Sequence, residues 1–143
     1  KMMMTEKYKI LGKYIKDMSS ETADIETYIF VKEYISKYEL NIDINSKPLK
    51  NRMVEVNTIM KFEDKQKNKK KSFFEINYAT IIKVGDEIKE KKDLEKIILC
   101  DVQIKIYPEI EKALLDLLHN SGYPDIKFEK KVDFEKLFNQ RLS

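Results

Sequence analysis

The sequence predicts an α+β fold in which a four-stranded antiparallel sheet is followed by a long helix and a C-terminal helix. Apolar and polar residues alternate in two runs between Met53 and Val84, and again in a shorter run that begins at Tyr38. A period of two is typical of a strand with one buried face, whereas the last third of the chain shows helical spacing. Strands that come first and helices that come last favour an α+β architecture.

Length and composition indicate one domain that spans residues 1–143. The chain is 42% hydrophobic and 37% charged, as in an ordinary soluble domain, and domains usually contain about 100–200 residues. Its single cysteine, Cys100, excludes an internal disulfide, and no apolar stretch approaches the roughly 20 residues that span a bilayer. We therefore expect a cytoplasmic protein without direct membrane insertion. The net charge of +3 combines many charges of both signs and does not indicate a nucleic-acid partner.

The first strand is predicted from Tyr8 to about Met18. Ile10 and Tyr14 alternate with lysines in this stretch, and Gly12 suits a bulge.

The next stretch, residues 25–36, permits two interpretations. Its apolar spacing suits a short helix, whereas residues 28–31 are rich in β-formers. Alternation returns between Tyr38 and Asn45, which predicts a second strand that ends at Pro48.

Strands three and four form a long antiparallel hairpin between Met53 and Val84. One parity of each run is apolar or β-branched and is predicted to be buried. These residues are Val54, Val56, Thr58, Met60 and Phe62 in the first run, and Phe74, Ile76, Tyr78, Thr80, Ile82 and Val84 in the second.

The hairpin tip is rich in lysine: Lys65, Lys67, Lys69, Lys70 and Lys71. A nucleic-acid contact would require interleaved aromatic residues or a basic face that continues beyond the loop. Because neither is present, a solvated turn is the favoured interpretation.

The clearest predicted helix begins at Pro108 and ends at Gly122. Residues 94–106 suit either a helix or an extended segment. A last helix is predicted after Asp133, a suitable N-cap. The buried positions are Ile110, Ala113, Leu114, Leu117 and Leu118 in the first helix, and Phe134, Leu137, Phe138 and Leu142 in the last.

No catalytic or metal-binding pattern is present in the sequence. His119 is the only histidine and lies on a leucine-rich helix, where a surface or cap position is favoured over a base or a ligand. Cys100 has no histidine nearby in sequence to activate it, and one histidine with one cysteine cannot form a usual zinc site. We therefore expect neither an enzyme nor a cofactor.

Several blocks of the chain lie in an order and spacing that a known family shares. They are YIKDMSSE from Tyr14 to Glu21, LNIDI from Leu40 to Ile44, FEINYATII from Phe74 to Ile82, the pair Tyr107 and Pro108, GYP from Gly122 to Pro124, and VDFEKLF from Val132 to Phe138. Together they resemble SecB, the bacterial export chaperone, over nearly the whole length.

The resemblance implies a cytoplasmic homotetramer, built as a dimer of dimers, with long helices between two eight-stranded sheets. It implies an ATP-independent holdase that binds unfolded preproteins and delivers them to the SecA translocation motor. The polypeptide would lie in apolar grooves between the sheet edge and the segment that links strand four to the main helix. The residues implied for this binding are Leu40, Ile42, Ile44, Phe74, Ile76, Tyr78, Ile97, Ile98 and Val102.

For SecA docking, the resemblance implies acidic residues on the outer face of the sheet. The matching residues are Asp17, Glu21, Phe73 and Glu75. Phe73 and Glu75 are opposite in phase to the buried set, and carboxylates on a rigid face suit a basic partner.

Departures from the family keep alternatives open: the chain is slightly basic, residues 99–107 are poorer in cysteine, proline and aromatic residues than the family's segment, and Lys131 replaces a proline. The first alternative is a SecB-like chaperone specialised for an antitoxin. The second, less favoured, is a basic nucleic-acid-binding module.

Overall fold

The structure, a computed structural model, describes residues 6–142. Its elements, in chain order, are β1 (Tyr8–Glu21), α1 (Ile25–Tyr34), a 3-10 turn (Ile35–Lys37), β2 (Glu39–Pro48), β3 (Met53–Glu63), β4 (Phe73–Val84), α2 (Lys91–Lys96), a π-helical turn (Ile97–Asp101), α3 (Val102–Asn120) and α4 (Phe134–Leu142).

The four strands form one antiparallel sheet in the order β1-β4-β3-β2. The predicted hairpin is confirmed, because Met53 pairs with Lys83 and Phe62 with Phe74. Since β1 and β2 each pair on one side within the chain, both are edge strands. The predicted α+β fold, with its long helix and C-terminal helix, is confirmed.

The helices cover one face of the sheet, which we call the inner face; the opposite side is the outer face. Alternate residues of β3 and β4 point to the inner face and are buried, as period-two patterning predicts. The buried stripe of α3 packs with them in one core cluster. Its fully buried members are Val102, Ile106, Ile110, Leu114 and Leu118.

β1 is longer than predicted, because it continues to Glu21. It is also less regular, because it contains two bulges. The register against β4 shifts between Ile10 and Gly12, and again between Ile15 and Asp17. Each extra residue exchanges the two faces of the strand, so simple alternation is lost even though the strand continues to Glu21.

The ambiguous stretch after β1 is helical. Asp24 caps α1 by accepting a hydrogen bond from the backbone N–H of Thr27 at 2.8 Å. Hydrogen bonding from the side chain of Thr27, and then from its backbone N–H, lowers the pKa of the Asp24 carboxyl. At the other side of the helix, the Tyr28 hydroxyl donates to the carbonyl of Gly122 at 3.0 Å. A cap and one tertiary anchor therefore decide between the two interpretations.

The prediction that the main helix begins at Pro108 is wrong. Helical structure begins at Lys91, continues through the π-helical turn and α3, and places Pro108 inside α3. Pro108 and Ile104 are both exposed. The Ile104 carbonyl, which lacks a donor at the proline, therefore lies on the side that water reaches.

A buried glutamine connects the π-helical turn to the sheet. Gln103 is fully buried, donates to the carbonyl of Ile98 at 3.0 Å, and accepts a hydrogen bond from the Thr58 hydroxyl at 2.9 Å. Both ends of its amide are thus satisfied where the helix changes its hydrogen-bonding period.

The predicted helix end and the last N-cap are confirmed. Gly122 has a φ of +107°, and Asp133 accepts from the N–H of Lys136 at 3.0 Å. Phe134 and Phe138 of α4 are buried, but Leu137 is 52% exposed, which corrects its predicted place in the core. The side chain of Leu142 lies outside the described residues.

Candidate polypeptide-binding groove and outer-face patch

A groove of about 1110 Å³ lies between β2 and the segment 125–132 that follows α3. We call it the β2 groove. Its apolar lining consists of Ile35, Tyr38, Leu40, Ile42, Phe62, Ile126, Phe128, Val132 and Leu137. Its polar lining consists of Ser36, Glu39, Asp125, Lys127, Glu129, Lys130 and Lys131.

Aromatic contacts hold segment 125–132, which forms the wall of the groove opposite β2, against the sheet. The ring of Phe128 meets that of Phe62 edge-on at 5.5 Å, and Phe62 lies 5.5 Å from Tyr38. Nε2 of His119 lies within hydrogen-bond distance, 3.0 Å, of the carbonyl oxygen of Ile126. Segment 125–132 has no regular secondary structure, so these contacts, rather than a backbone ladder, fix its position.

A cluster of hydroxyl groups lies beneath the Tyr38 end of the β2 groove. The Tyr38 hydroxyl accepts a hydrogen bond from the backbone N–H of Ser72 at 3.0 Å, and the Ser72 hydroxyl lies 2.6 Å from that of Thr22 and 3.3 Å from that of Tyr123. Burial raises the pKa of Tyr38 above its ordinary value, so the phenol stays protonated at neutral pH. The hydroxyl groups beneath this end of the groove are therefore uncharged and fixed by hydrogen bonds.

The structure divides the residues that sequence reasoning assigned to polypeptide binding. Leu40 and Ile42 line the β2 groove, and Ile44 packs beside α4. The others are buried in the core of the chain, where helices cover the inner face: Phe74, Ile76, Tyr78, Ile97, Ile98 and Val102. These six residues are part of the core beneath the groove, and they do not line the β2 groove in the single chain.

The second wall of the groove was missed at the sequence level. The segment between β4 and α3 was expected to face β2, but the segment after α3 takes that place. Ile126, Phe128 and Val132 alternate with charged residues there, and this pattern was the available signal. The pattern was too short, and too close to Pro124, to distinguish a groove wall from an ordinary loop between two helices.

The four residues assigned to the outer face do come together. Glu21 pairs with Phe73, and Ser19 with Glu75, across the β1–β4 ladder, while Asp17 pairs with Asn77 one step further. Phe73 is 58% exposed. We call this surface the outer-face patch, formed by Asp17, Glu21, Glu63, Phe73, Glu75 and Lys61.

Two members of the outer-face patch were not predicted. Glu63 and Lys61 line the same small cavity of about 260 Å³ as Phe73 and Glu75. The Lys61 ammonium lies 3.7 Å from the carboxylate of Glu75 and offsets part of the negative charge. Cross-strand neighbours become evident only once the register is known.

The described residues offer little reactive chemistry. Residues 6–142 contain no group of three or more His, Cys, Asp or Glu side chains that could hold a metal ion. Cys100 is buried, and burial raises the pKa of its thiol, which disfavours the reactive thiolate. Over the same residues, no helix has the length and apolarity needed to cross a membrane.

Comparisons with known proteins agree with this fold. A family model described as "Preprotein translocase subunit SecB" matches residues 2–143. The SecB-type protein-export protein of Pelagibacter ubique is 61% identical over 140 residues, which cover 98% of this chain and 100% of that protein. The protein-export protein SecB of Parvibaculum lavamentivorans is 24% identical over 133 residues, which cover 93% of this chain and 77% of that protein.

Among solved structures, the fold is similar to a SecB-like chaperone of Mycobacterium tuberculosis in complex with a ChAD peptide from an antitoxin. The TM-score is 0.63 at 12% identity, and the match covers 88% of this chain and 91% of that one. The sheet order, the helices on one face and these matches lead to one conclusion. The chain belongs to the SecB family of protein-export chaperones.

Proposed function

We propose that the chain is an ATP-independent holdase that acts in the cytoplasm, binds unfolded preproteins in the β2 groove and passes them to SecA. The β2 groove carries this proposal: an apolar trough beside a free strand edge. Apolar burial of about 25 cal/mol per Å² requires no particular sequence, which suits a protein with many clients. The SecB-like neighbour with a bound peptide supports the same use of the fold.

The exposed side chains of β1 support assembly into a homotetramer, arranged as a dimer of dimers. Leu11, Tyr14, Ile15 and Met18 are each between 44% and 53% exposed on this edge strand. An exposed apolar edge is a surface that proteins usually cover by pairing or assembly. A second copy of the chain is the occupant that family membership favours.

The outer-face patch is proposed as the docking surface for SecA. An exposed phenylalanine surrounded by carboxylates suits a basic partner with an apolar anchor, because charge complementarity speeds encounter and the ring supplies contact area.

The experiment that tests the holdase is native mass measured with and without an unfolded preprotein. We expect a tetramer that takes up the unfolded chain and does not take up the same protein once it has folded. A monomer or dimer that is indifferent to unfolded chains would refute the proposal. A marked preference for one antitoxin over all other unfolded chains would instead favour the specialised alternative.

Two variants test the location of binding. We expect Ile42→Asp and Leu137→Asp to lower client affinity about tenfold or more, because a charge replaces apolar contact in the groove. Leu137 is half exposed, so its variant is expected to fold even if the Ile42 variant does not. Ile29→Asp is the matched control: Ile29 is 56% exposed on α1 and lies outside the groove lining. Equal affinities in all three would place the clients elsewhere.

A further inference from the structure

The lysine-rich hairpin tip is an organised loop of residues 64–72, which we call the lysine loop. Asp64 is buried, and its carboxylate accepts hydrogen bonds from the N–H of Gln66 and from Nδ2 of Asn68, both at 2.8 Å. The Nζ of Lys71 lies 3.4 Å from the carbonyl oxygen of Asp64. The acidic group therefore faces into the loop, whereas Lys65, Lys67, Lys69 and Lys70 are exposed.

The lysine loop is continuous with the floor of the β2 groove. Phe62, which packs against Phe128 across the groove, precedes Asp64 by two residues in the chain. At the other end of the loop, the backbone N–H of Ser72 donates to the hydroxyl of Tyr38, another groove residue. A bound polypeptide that leaves the groove past Tyr38 and Phe128 would therefore come close to the positive charges of the exposed lysines.

The excess positive charge belongs to this mouth and not to the groove itself. Lys127, Lys130 and Lys131 on the groove wall are balanced by Glu39, Asp125 and Glu129. At the mouth, Lys65, Lys67, Lys69 and Lys70 outnumber the carboxylates near them, which are Glu63, the nearest in sequence outside the loop, and Asp24, whose charge interacts with Lys70. The groove is consequently close to neutral along its length and basic at one end.

We propose that the lysine loop makes the β2 groove select apolar client segments that are flanked on one side by carboxylates. This inference rests on the proposed function and adds the class of client to it. An apolar segment would fill the trough, and Asp or Glu residues next to it would meet the exposed lysines at the mouth. Interactions between exposed charges are individually weak, so several of them together set the preference, and salt screens them.

The surroundings of the loop favour a polypeptide over a nucleic acid. A nucleic acid would need aromatic side chains between the lysines for base stacking, and no aromatic residue lies between Lys65 and Lys71. The outer-face patch begins immediately beyond the loop, and its carboxylates would repel a phosphate backbone that continued along the sheet. A short acidic segment of a client polypeptide would contact only the lysines at the mouth of the groove and would not reach these carboxylates.

The experiment uses the chain of residues 1–143 and three unstructured peptides with the same apolar core of about ten residues. Their flanks consist of glutamates, glutamines or lysines, and their affinities are measured by fluorescence anisotropy. At about 50 mM salt we expect the glutamate-flanked peptide to bind about tenfold more tightly than the lysine-flanked one, with the glutamine-flanked peptide between them. At about 500 mM salt the three affinities should converge.

Two matched variants locate the effect. In the first, Lys65, Lys67, Lys69 and Lys70 are changed to glutamine, which leaves the Lys71 contact with Asp64 in place. In the second, Lys83, Lys89, Lys91 and Lys92 are changed to glutamine; these four exposed lysines lie at or beyond the other end of β4. The two ends of that strand are roughly 35 Å apart at about 3.3 Å per residue. Both variants lose the same charge, and we expect only the first to lose the preference for glutamate flanks.

The outcomes separate this inference from the proposed function. Binding of all three peptides with equal affinity at low salt would overturn the charge selection and leave the holdase intact. Failure of all three peptides to bind, the glutamate-flanked one included, would remove both. Equal effects of the two variants would assign the preference to net charge and overturn the role of the loop. Tight loop-dependent binding of a single-stranded oligonucleotide that the glutamate-flanked peptide does not displace would also overturn it.

Discussion

Gly122 shows, at the scale of a residue, how one backbone conformation places the wall of the groove. Its φ of +107° ends α3 and turns the chain toward segment 125–132. A Cβ at this position would lie 2.6 Å from Cε1 of Tyr28, whose hydroxyl donates to the Gly122 carbonyl. The conformation and the close approach both require glycine.

We expect Gly122→Ala to lower the free energy of unfolding by about 1–3 kcal/mol, through backbone strain and the contact with Tyr28. Urea unfolding at a fixed protein concentration measures it. Gly12→Ala is the control, because a Cβ there would meet nothing within 4 Å, and a change within about 0.5 kcal/mol is expected. Similar losses in the two variants would contradict this account of Gly122.

At the scale of an element, the helical stretch from Lys91 to Asn120 depends on a polar group inside the core. Gln103 is fully buried yet satisfied, because the Thr58 hydroxyl and the Ile98 carbonyl hold the two ends of its amide. The π-helical turn alters the regular hydrogen-bond pattern at this point, and Gln103 compensates for part of the change.

Replacing Gln103 by leucine should cost about 2–4 kcal/mol of unfolding free energy, since it leaves a buried hydroxyl and a buried carbonyl unpaired. Adding Thr58→Val should restore part of this loss, because the orphaned hydroxyl is removed. A double-mutant cycle by urea unfolding checks the coupling. Strict additivity of the two substitutions would contradict a shared hydrogen-bond chain.

Elements whose structure is determined by neighbouring residues in the sequence could be predicted, and elements that depend on distant contacts could not. The β3–β4 hairpin was predicted because each strand alternates without interruption over its length. The end of β1 was not, since two bulges exchange its faces and no residue type marks Lys16 as the second one. Pro108 misplaced the helix start, because proline usually lies in the first turn of a helix, whereas here it lies at an exposed position inside α3.

The same distinction applies to the candidate site. The phase of Phe73 and Glu75 correctly predicted a common outer face, because strand parity is a local property. Lys61 and Glu63 joined them only through the register of β3 against β4. Segment 125–132 alternates over only a few residues, and its position depends on contacts with Phe62 and His119 that sequence spacing does not reveal.

At the scale of the whole molecule, the two candidate surfaces lie on different parts of the sheet. The β2 groove follows one edge, whereas the outer-face patch includes β1, the opposite edge, and the face away from the helices. If the two surfaces have the proposed roles, client binding and SecA docking can be changed by separate substitutions.

On this arrangement, Glu75→Lys is expected to weaken SecA binding about tenfold, because it reverses a charge at the centre of the patch. Lys61→Gln should strengthen it, since it removes the cation 3.7 Å from Glu75. Titration calorimetry with SecA, alongside client affinity, provides the measurement. The control is Glu87→Lys, at an exposed position beyond the other end of β4. Unchanged SecA affinity in both patch variants would refute the assignment.

The strand order has a consequence for the making of the protein. β1 is synthesised first, yet its partner in the sheet is β4, which follows β2 and β3 in the chain. At about 5–20 residues per second, several seconds pass between the emergence of β1 and that of β4. During this interval the segment that contains Leu11, Ile15 and Met18 has no partner strand. On the proposed function, a folded copy of this protein would therefore be able to bind a nascent copy of itself during those seconds.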